Sequence, residues 1–421
     1  MLLPFLIGCV VASVGILLAV NFMSGEKKLD RRIAHTYALE DPRFAHELGA
    51  LLGPPFLPDN QATILLNGDK IFPSMLGAIE GARNSITFET YIYWSGDIGR
   101  RFASALSAAA RRGVRTHVLL DWVGSGKMDD ALLEEMTAAG VQIKKFHPPH
   151  WYALGRLNNR THRKLLVVDG RVGFTGGVGI AEEWTGNAQS PNHWRDTHVR
   201  IEGPVVAQMQ AVFMDNWVKV TGEVLHGEPY FPQLAPHGGP RAQMFSSSPT
   251  GGSESMQLMY LFSIAAAVRT IDLSAAYFVP DDLTREALLV AMKRGVKLRI
   301  IVPGEHMDSE TVKHASRALW GPLLEAGAVI AEYQPTMFHC KVLIVDQLLV
   351  SMGSTNFDNR SFRLNDEATL NMLDSTFAAE QTAVFEQDLA RSKRVSLESW
   401  ANRPTREKIL DWLSGLLRSQ L

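Results

Sequence analysis

Cysteine is scarce in this chain of 421 residues, which contains only Cys9 and Cys340. Cys9 lies in an apolar run at the start of the chain and Cys340 lies inside a motif described below, so no structural disulfide is predicted. The sequence also lacks a His-Glu-x-x-His motif and any set of four cysteines at zinc-ligand spacing. We therefore predict neither a metal site nor a bound cofactor.

The chain also lacks an excess of positive charge. Its 42 lysines and arginines are balanced by 44 aspartates and glutamates, which leaves a net charge of −2. Proteins that neutralise many phosphates of a nucleic acid usually carry a clear positive excess. The balance therefore disfavours nucleic acid as a partner.

Charged side chains are absent from the first 23 residues. A run of ~20 apolar residues is long enough to cross a bilayer, so residues 1–23 predict one N-terminal transmembrane helix. A cleaved signal peptide is the alternative, but the run has no basic start and no small-residue cleavage site after it. Basic residues outnumber acidic ones just after the run, which by the positive-inside rule favours a cytoplasmic catalytic part. These basic residues are Lys27, Lys28, Arg31 and Arg32.

The sequence contains an internal repeat. The segments 112–120 and 294–302 both predict a helix that ends at a glycine and is followed by a buried strand. The segments 139–143 and 326–330 match in the same way at nearly the same offset. Alternating strands and helices indicate an α/β fold in which helices cover both faces of a mainly parallel or mixed sheet.

The repeat suggests where the domains begin and end. We predict a linker over 24–60, a first domain over 61–240 and a second over 241–421 that includes a C-terminal helix. Asn67-Gly68 is typical of a tight hairpin turn. Apolar residues over 409–417 recur at helical spacing, and that face either packs on the domain or rests on lipid.

Two copies of one motif stand at equivalent places in the repeat. Each has a histidine, a lysine two residues later and an aspartate at the end of the apolar run that follows. The residues are His162, Lys164 and Asp169 in the first copy and His339, Lys341 and Asp346 in the second. On a strand, residues two apart project from the same face. One copy arises easily by chance, whereas two paired copies predict a single shared active site.

The paired motifs contain the groups that phosphodiester transfer requires. The reaction needs a nucleophile, an acid for the leaving alcohol, and positive charge near the non-bridging oxygens. One imidazole can attack phosphorus to give a phosphohistidine, while the other protonates the departing oxygen and later deprotonates the acceptor. Two lysines supply the positive charge.

These motifs resemble the double His-Lys-Asp signature of the phospholipase D superfamily. Within it, the likeness from about Leu65 to the C-terminus is to bacterial cardiolipin synthases. It rests on the segments 67–76, 161–164, 173–177, 194–198 and 361–365. The resemblance implies two duplicated phospholipase D-like domains, each an α/β/α sandwich with a central mixed sheet.

The resemblance also implies a role for each motif residue. His162 is then the nucleophile and His339 the general acid and base, while Lys164 and Lys341 bind the phosphoryl oxygens. Asp169 and Asp346 are expected to be structural rather than chemical.

Further positions match supporting residues of the family. Ser354 and Asn356 follow the second motif as Gly-Ser-x-Asn, and Asn356 is expected to donate a hydrogen bond to phosphate. The first copy has Gly179 where a comparable asparagine would stand. Glu367 is expected to orient His162, and Asp196 to orient His339, as the third member of a catalytic triad does.

The implied function is transfer of a phosphatidyl group from one phospholipid to the hydroxyl of phosphatidylglycerol at a bacterial inner membrane. The donor is phosphatidylglycerol or phosphatidylethanolamine. One alternative is a phospholipase D that hydrolyses the same intermediate to phosphatidic acid. A nuclease of the superfamily and an inactive membrane scaffold are further alternatives. The segment 146–162 of the first repeat, which mixes aromatic residues with arginines, either receives a lipid headgroup or is a packing loop.

Overall fold

The computed structural model describes residues 2–22, 29, 31–148, 158–234, 236, 238–249 and 254–421. The helices are α1 Leu2–Phe22, α2 Pro42–Leu52, α3 Asn67–Gly81, α4 Asp97–Arg111, α5 Asp130–Ala138, α6 Val205–Thr221, α7 Glu254–Ala266, α8 Asp282–Lys293, α9 Glu310–Arg317, α10 Trp320–Glu325, α11 Asn359–Arg363, α12 Ser375–Ala390, α13 Leu397–Ala401 and α14 Thr405–Gly415. The strands of the first half are β1 Gln61–Leu66, β2 Ser85–Thr90, β3 Arg115–Asp121, β4 Gln142–Phe146, β5 Arg160–Thr161, β6 Leu165–Val168, β7 Val172–Gly176 and β8 Thr197–Glu202. Those of the second half are β9 Arg241–Ser247, β10 Thr270–Ala275, β11 Phe278–Val279, β12 Lys297–Pro303, β13 Val329–Tyr333, β14 Lys341–Val345, β15 Leu349–Gly353, β16 Phe357–Asp358, β17 Asn365–Leu373 and β18 Ser392–Val395.

The first half forms a seven-stranded mixed sheet in the order β1-β8-β7-β6-β2-β3-β4. β2, β3 and β4 run parallel, and the remaining pairs are antiparallel. Every residue of β2 is buried, as expected for a central strand covered on both faces.

The second half repeats this arrangement in the order β9-β17-β15-β14-β10-β12-β13, and β18 adds an edge strand beside β13. β10, β12 and β13 are parallel, as β2, β3 and β4 are. The predicted duplication and the mixed α/β fold class are thus confirmed, while the exact domain boundaries stay a prediction.

Helices cover both faces of each sheet. In the first half, α3, α4 and α5 contribute to one apolar cluster, in which the rings of Phe88 and Phe102 stack with centroids 6.0 Å apart. On the opposite face, Met209 of α6 packs against Val167 in a cluster that continues into the second half. In the second half, α7, α8 and α10 cover one face and α12 the other. A shared core therefore joins the two halves.

The segment predicted as a linker, 24–60, contains α2 and contributes to this core. Phe44 and Leu48 of α2 are fully buried in the cluster of the second half. Asp41 caps the helix by accepting a hydrogen bond from the backbone N–H of Arg43 at 2.9 Å. The chain before the first sheet is therefore tied to the second one.

At the N-terminus, α1 is apolar, and its described side chains are exposed. Within the described part of the chain, no helix is both long and apolar enough to cross a membrane. The predicted transmembrane helix, 1–23, includes residues 1 and 23, which lie outside the described residues.

The hairpin predicted at Asn67-Gly68 is wrong, because α3 begins there. Asn67 has a left-handed backbone with φ of 59°, a conformation that asparagine tolerates. Its backbone N–H donates to the carbonyl of Asp196 at 3.1 Å, and its side-chain oxygen accepts from the N–H of Asp196 at 3.2 Å. A Cβ at Gly68 would collide with the backbone of Trp184 and Thr185. Tertiary contacts around Asp196 thus replace the local turn.

The predicted C-terminal helix is α14, but its apolar face is not packed on the domain. Trp412 and Leu416 are 64% and 62% exposed, whereas Asp411 is 1% exposed. Asp411 accepts hydrogen bonds from Nδ1 of His314 at 2.7 Å and from the guanidinium of Arg403 at 2.7 Å. Because the helix is held by its polar side, the packing interpretation of this face is wrong.

Candidate active site

Backbone hydrogen bonds place each motif histidine beside the opposite half. β5 pairs in parallel with the start of β17, and the N–H of His162 donates to the carbonyl of Asp366 at 2.9 Å. In the other copy, the N–H of His339 donates to the carbonyl of Arg195 at 2.8 Å. Each histidine therefore lies next to the residue that precedes a carboxylate of the other repeat.

His162 pairs with Glu367. Its Nδ1 lies 2.9 Å and 3.1 Å from the two carboxylate oxygens, and Glu367 is fully buried. The hydroxyl of Ser354 and the side-chain amide of Asn365 also donate to this carboxylate. Burial would raise the pKa of Glu367, but the contacts with His162, Lys164 and Ser354 outweigh it and keep that pKa below its usual value.

His339 pairs with Asp196 in the same way, with Nδ1 2.8 Å from Oδ2. The indole N–H of Trp184 and the backbone N–H of Thr197 donate to the same carboxylate at 2.9 Å and 2.8 Å. Burial would raise the pKa of Asp196, but His339 and Lys341 outweigh it and hold that pKa low. Both expected pairs across the halves are therefore present as contacts.

The ring nitrogen left for chemistry is Nε2 in both histidines, since each Nδ1 faces a carboxylate. Burial lowers the pKa of His162 to about 4 despite the opposing effect of Glu367. Burial, followed by the nearby Lys341 ammonium, also lowers the pKa of His339. A neutral imidazole whose Nδ1–H is held by a carboxylate presents a lone pair on Nε2, which is what a nucleophile needs.

The two motif lysines lie beside their histidines. Nζ of Lys164 donates to the carbonyl of His162 at 2.9 Å, and Nζ of Lys341 donates to the carbonyl of His339 at 2.8 Å. Burial, and then repulsion from Lys341, lowers the pKa of Lys164 to about 7. Each ammonium group is held at its own histidine, and both histidines line one cavity, so a phosphate bound there would be attracted by both lysines.

The motif aspartates bind backbone rather than the histidines. Asp169 accepts hydrogen bonds from the N–H groups of residues 83, 84 and 85, and Asp346 accepts from those of residues 268, 269 and 270. Each aspartate has a left-handed backbone, with φ of 54° and 53°. In both repeats the aspartate therefore fixes the start of a central strand.

A cavity of about 580 Å³ opens over the paired motifs. Its lining includes both histidines, Lys164, Asn356 and Asn365. The side-chain oxygen of Asn356 is buried and has no hydrogen-bond partner among the described residues. This oxygen is an acceptor, so only the NH2 group of the same amide could donate to a phosphate in the cavity.

Sequence reasoning missed the aromatic walls of this cavity, formed by Tyr91, Trp94, Trp184, Trp194 and Tyr277. The ring of Tyr91 meets His162 edge-on at 5.3 Å. Several of these side chains follow the carboxyl ends of β2 and β10, where sheets of this kind place their ligands. Their position directly after these strands was the sequence signal that could have revealed them. Of the predicted headgroup loop, residues 149–157 lie outside the described residues.

Arg163, the residue between His162 and Lys164, was also missed. Its guanidinium is fully buried and donates to the carbonyls of Val212 at 2.8 Å and Ser247 at 3.3 Å. It therefore connects the motif to α6 of the first half and β9 of the second.

Two histidines in one cavity, each with a carboxylate from the other half and a lysine beside it, define a phosphodiester-transferring enzyme. Comparisons with known proteins narrow this class. The family described as "Cardiolipin synthase, PLD-like domain" matches residues 75–217 and 260–389. The chain belongs to this family of the phospholipase D superfamily. Membership confirms the predicted enzyme class, a phosphatidyltransferase of that superfamily.

Individual relatives agree with the family. The chain is 35% identical to a cardiolipin synthase of Geobacillus kaustophilus over 378 residues, covering 89% of this chain and 74% of the relative. It is 34% identical to cardiolipin synthase A of Pseudomonas fluorescens over 374 residues, covering 89% and 76%. A solved phosphatidylserine synthase of Haemophilus influenzae shares the fold, with a TM-score of 0.69 and 13% identity over 90% of this chain and all of that one.

Proposed function

We propose that the enzyme transfers a phosphatidyl group from a donor phospholipid to the free hydroxyl of phosphatidylglycerol, which gives cardiolipin. The single observation behind this proposal is the pair of histidines whose Nδ1 atoms are bound across the halves by Glu367 and Asp196. Family membership supports the choice of phospholipids as substrates.

In the first step, Nε2 of His162 attacks the phosphorus of the donor and forms an N–P bond. The bond between phosphorus and the headgroup oxygen breaks, and that oxygen takes a proton from Nε2 of His339, which enters this step as the imidazolium and leaves it neutral. Lys164, Lys341 and the side-chain NH2 group of Asn356 donate to the non-bridging oxygens and stabilise their negative charge. The product is a phosphatidyl-histidine and a free headgroup alcohol.

In the second step, the hydroxyl of phosphatidylglycerol gives its proton to His339, and its oxygen attacks phosphorus. The N–P bond breaks and returns His162 to its neutral state. Glu367 holds Nδ1–H of His162 throughout, so the same tautomer is ready for the next cycle.

We infer that the apolar face of α14 rests on the lipid surface from which these substrates come. Trp412 and Leu416 of this face are exposed, and the chain after α14 leads directly to the cavity, where Gln420 and Leu421 form part of the wall. The uncharged residues 1–23 support a second attachment to the bacterial cell membrane. The basic residues over 27–32 support a cytoplasmic position for the catalytic part.

The test incubates the detergent-solubilised enzyme with phosphatidylglycerol and measures glycerol, cardiolipin and phosphatidic acid. We expect glycerol and cardiolipin in equal amounts. Phosphatidic acid without cardiolipin would show that water is the acceptor and would refute the transferase proposal.

A second assay, on vesicles, tests the lipid contact of α14. Changing both Trp412 and Leu416 to Ser should lower activity about tenfold on vesicles and leave it unchanged on short-chain soluble lipid. Equal losses in both assays would refute the lipid contact.

A further inference from the structure

Two arginines lie in the cavity beyond the motif residues. Arg160 occupies the strand position two residues before His162, so both side chains leave the chain on the same side, roughly 6.5 Å apart along the strand. Arg360 belongs to α11, just after Asn356 of the second motif. Arg160 and Arg360 both line the cavity with His162 and Lys164.

Neither arginine has a carboxylate as a direct partner among the described residues, although Asp121 and Asp358 act on their charges from a greater distance. Arg360 donates to the backbone and side-chain oxygens of Asn158 at 2.9 Å and 3.0 Å and to the carbonyl of Gln420 at 3.2 Å. Arg160 donates to the carbonyl of Asn159 at 2.8 Å. All these acceptors are neutral, and neither guanidinium forms a salt bridge with a carboxylate of the described residues. Residues 149–157, which precede Asn158 and lie outside the described part of the chain, include no aspartate or glutamate.

The terminal residue, Leu421, lies beside Arg360, whose backbone N–H donates to its oxygen at 3.0 Å, and two side-chain carboxylates near the pair accept backbone hydrogen bonds. Asp121 accepts from the N–H groups of Val123, Gly124 and Thr161, and Asp358 accepts from the N–H of Ser361. Burial, followed by the charge of Arg160, lowers the pKa of Arg360. The two side chains line one cavity and donate to the neighbouring residues Asn159 and Asn158, so an anion in that cavity would be attracted by both guanidinium groups.

Tyr91 links this pair to the reacting atoms. Its ring meets His162 edge-on at 5.3 Å, and both Arg160 and Arg360 act on its pKa, which burial raises. Fixed guanidinium groups suit a phosphate because they present several N–H donors in a plane. The motif lysines serve the phosphate under attack, so these arginines are available for a different phosphate.

We propose that Arg160 and Arg360 form a second phosphate site, which binds the phosphodiester of the acceptor lipid while its free hydroxyl reaches the phosphatidyl-histidine. This inference rests on the proposed function, in which donor and acceptor each carry one phosphate and the product carries two, joined by a single glycerol. The site explains how the enzyme prefers a lipid alcohol to water or to a free alcohol.

The test separates the two phosphates by using a donor with a chromogenic leaving group, phosphatidyl-p-nitrophenol, and varying the acceptor. For Arg160→Gln and Arg360→Gln, we expect the KM for short-chain phosphatidylglycerol to rise about tenfold or more, because a charged hydrogen bond is lost. Transfer to glycerol, which has no phosphate, should stay within about twofold of wild type. Arg→Lys variants should recover part of the lost affinity.

Arg83→Gln is the matched control. Arg83 is exposed and precedes the start of β2, whereas Tyr91 follows the end of this strand. This variant should therefore change neither reaction. Equal losses with phosphatidylglycerol and glycerol, at unchanged melting temperature, would overturn the second site. Glycerol 3-phosphate as acceptor shows whether the site binds a lipid phosphate or a free phosphate ester. The wild-type enzyme should use it less well than phosphatidylglycerol. The reverse order would overturn the assignment to a lipid phosphate. A wild-type enzyme that forms only phosphatidic acid would refute the proposed function itself, whatever the arginine variants do.

Discussion

The two half-sites use the same residues in different surroundings. Among the described residues, Tyr91 is the one aromatic side chain whose ring meets His162. His339 is enclosed by the rings of Trp184 and Trp194, with centroids at 5.2 Å and 5.4 Å. The two copies therefore contain the same motif residues, but different side chains surround their histidines.

A second difference concerns the lysines. Nζ of Lys341 lies 3.1 Å from both ring nitrogens of His339. Its charge is a leading cause of the lowered pKa of His339, after burial. A lower pKa makes the imidazolium a stronger acid toward the leaving alcohol. Because burial lowers the pKa of both histidines, the pKa does not distinguish their roles, and the assignment of His162 as nucleophile and His339 as proton carrier stays a prediction.

The largest expected effect tests this division of roles with the nitrophenyl donor, whose leaving group needs no proton. His162→Ala should lower nitrophenol release by about four orders of magnitude, because the attacking atom is gone. His339→Ala should instead give a burst of nitrophenol close to one per enzyme, followed by a slow phase in which the phosphatidyl-enzyme accumulates. A burst in His162→Ala, or a label on His339 in wild type, would reverse the roles.

The motif aspartates offer a comparison in stability. Asp169→Ala and Asp346→Ala each remove the acceptor of three backbone N–H groups and place alanine in a left-handed conformation, so we expect losses of about 2–4 kcal/mol in the free energy of unfolding. The loss should be larger for Asp346, which is 1% exposed, than for the half-buried Asp169. Urea unfolding measures both. The Asn variants, which tolerate the backbone, serve as controls. Lost turnover at unchanged stability would give these residues a chemical role.

The smallest effect concerns pH. Below a pKa of about 4, His162 becomes protonated and loses its nucleophilic lone pair, and above a pKa of about 7, Lys164 loses the charge that binds phosphate. With the nitrophenyl donor, whose leaving group needs no proton from His339, kcat/KM should therefore be highest between these values and fall about tenfold per pH unit above the upper one. Lys164→Arg should keep kcat/KM at pH 8 within about threefold of its value at pH 6.5, since guanidinium stays charged. If kcat/KM of this variant still falls above pH 7 as in wild type, a group other than Lys164 causes that fall.

The sequence was sufficient for the features that are local or repeated. The paired motifs are short patterns, and their equal placement in a duplicated strand-helix series predicted the mixed sheets and the meeting of the two histidines. The expected contacts of Glu367 and Asp196 came from family likeness, because neither residue is close in sequence to its histidine.

Features that depend on long-range contacts could not be predicted. Asn67-Gly68 carries the local pattern of a hairpin, yet its contacts with Asp196 turn it into the start of a helix. No sequence pattern distinguishes Arg360 from other arginines of the chain. Only its contacts with Asn158 and Gln420 place it in the cavity. The periodicity of α14 predicted a helix, but it did not reveal that Asp411, rather than the apolar face, faces the protein.

The pairing of His162 with a carboxylate 205 residues further along the chain has a consequence for synthesis. At ~5–20 residues per second, Glu367 follows His162 out of the ribosome by on the order of 10–40 s. During that interval the growing chain carries a complete first motif whose histidine has no carboxylate partner. A newly made molecule therefore cannot act on lipids until its second half has folded, even if its first half already lies at a membrane.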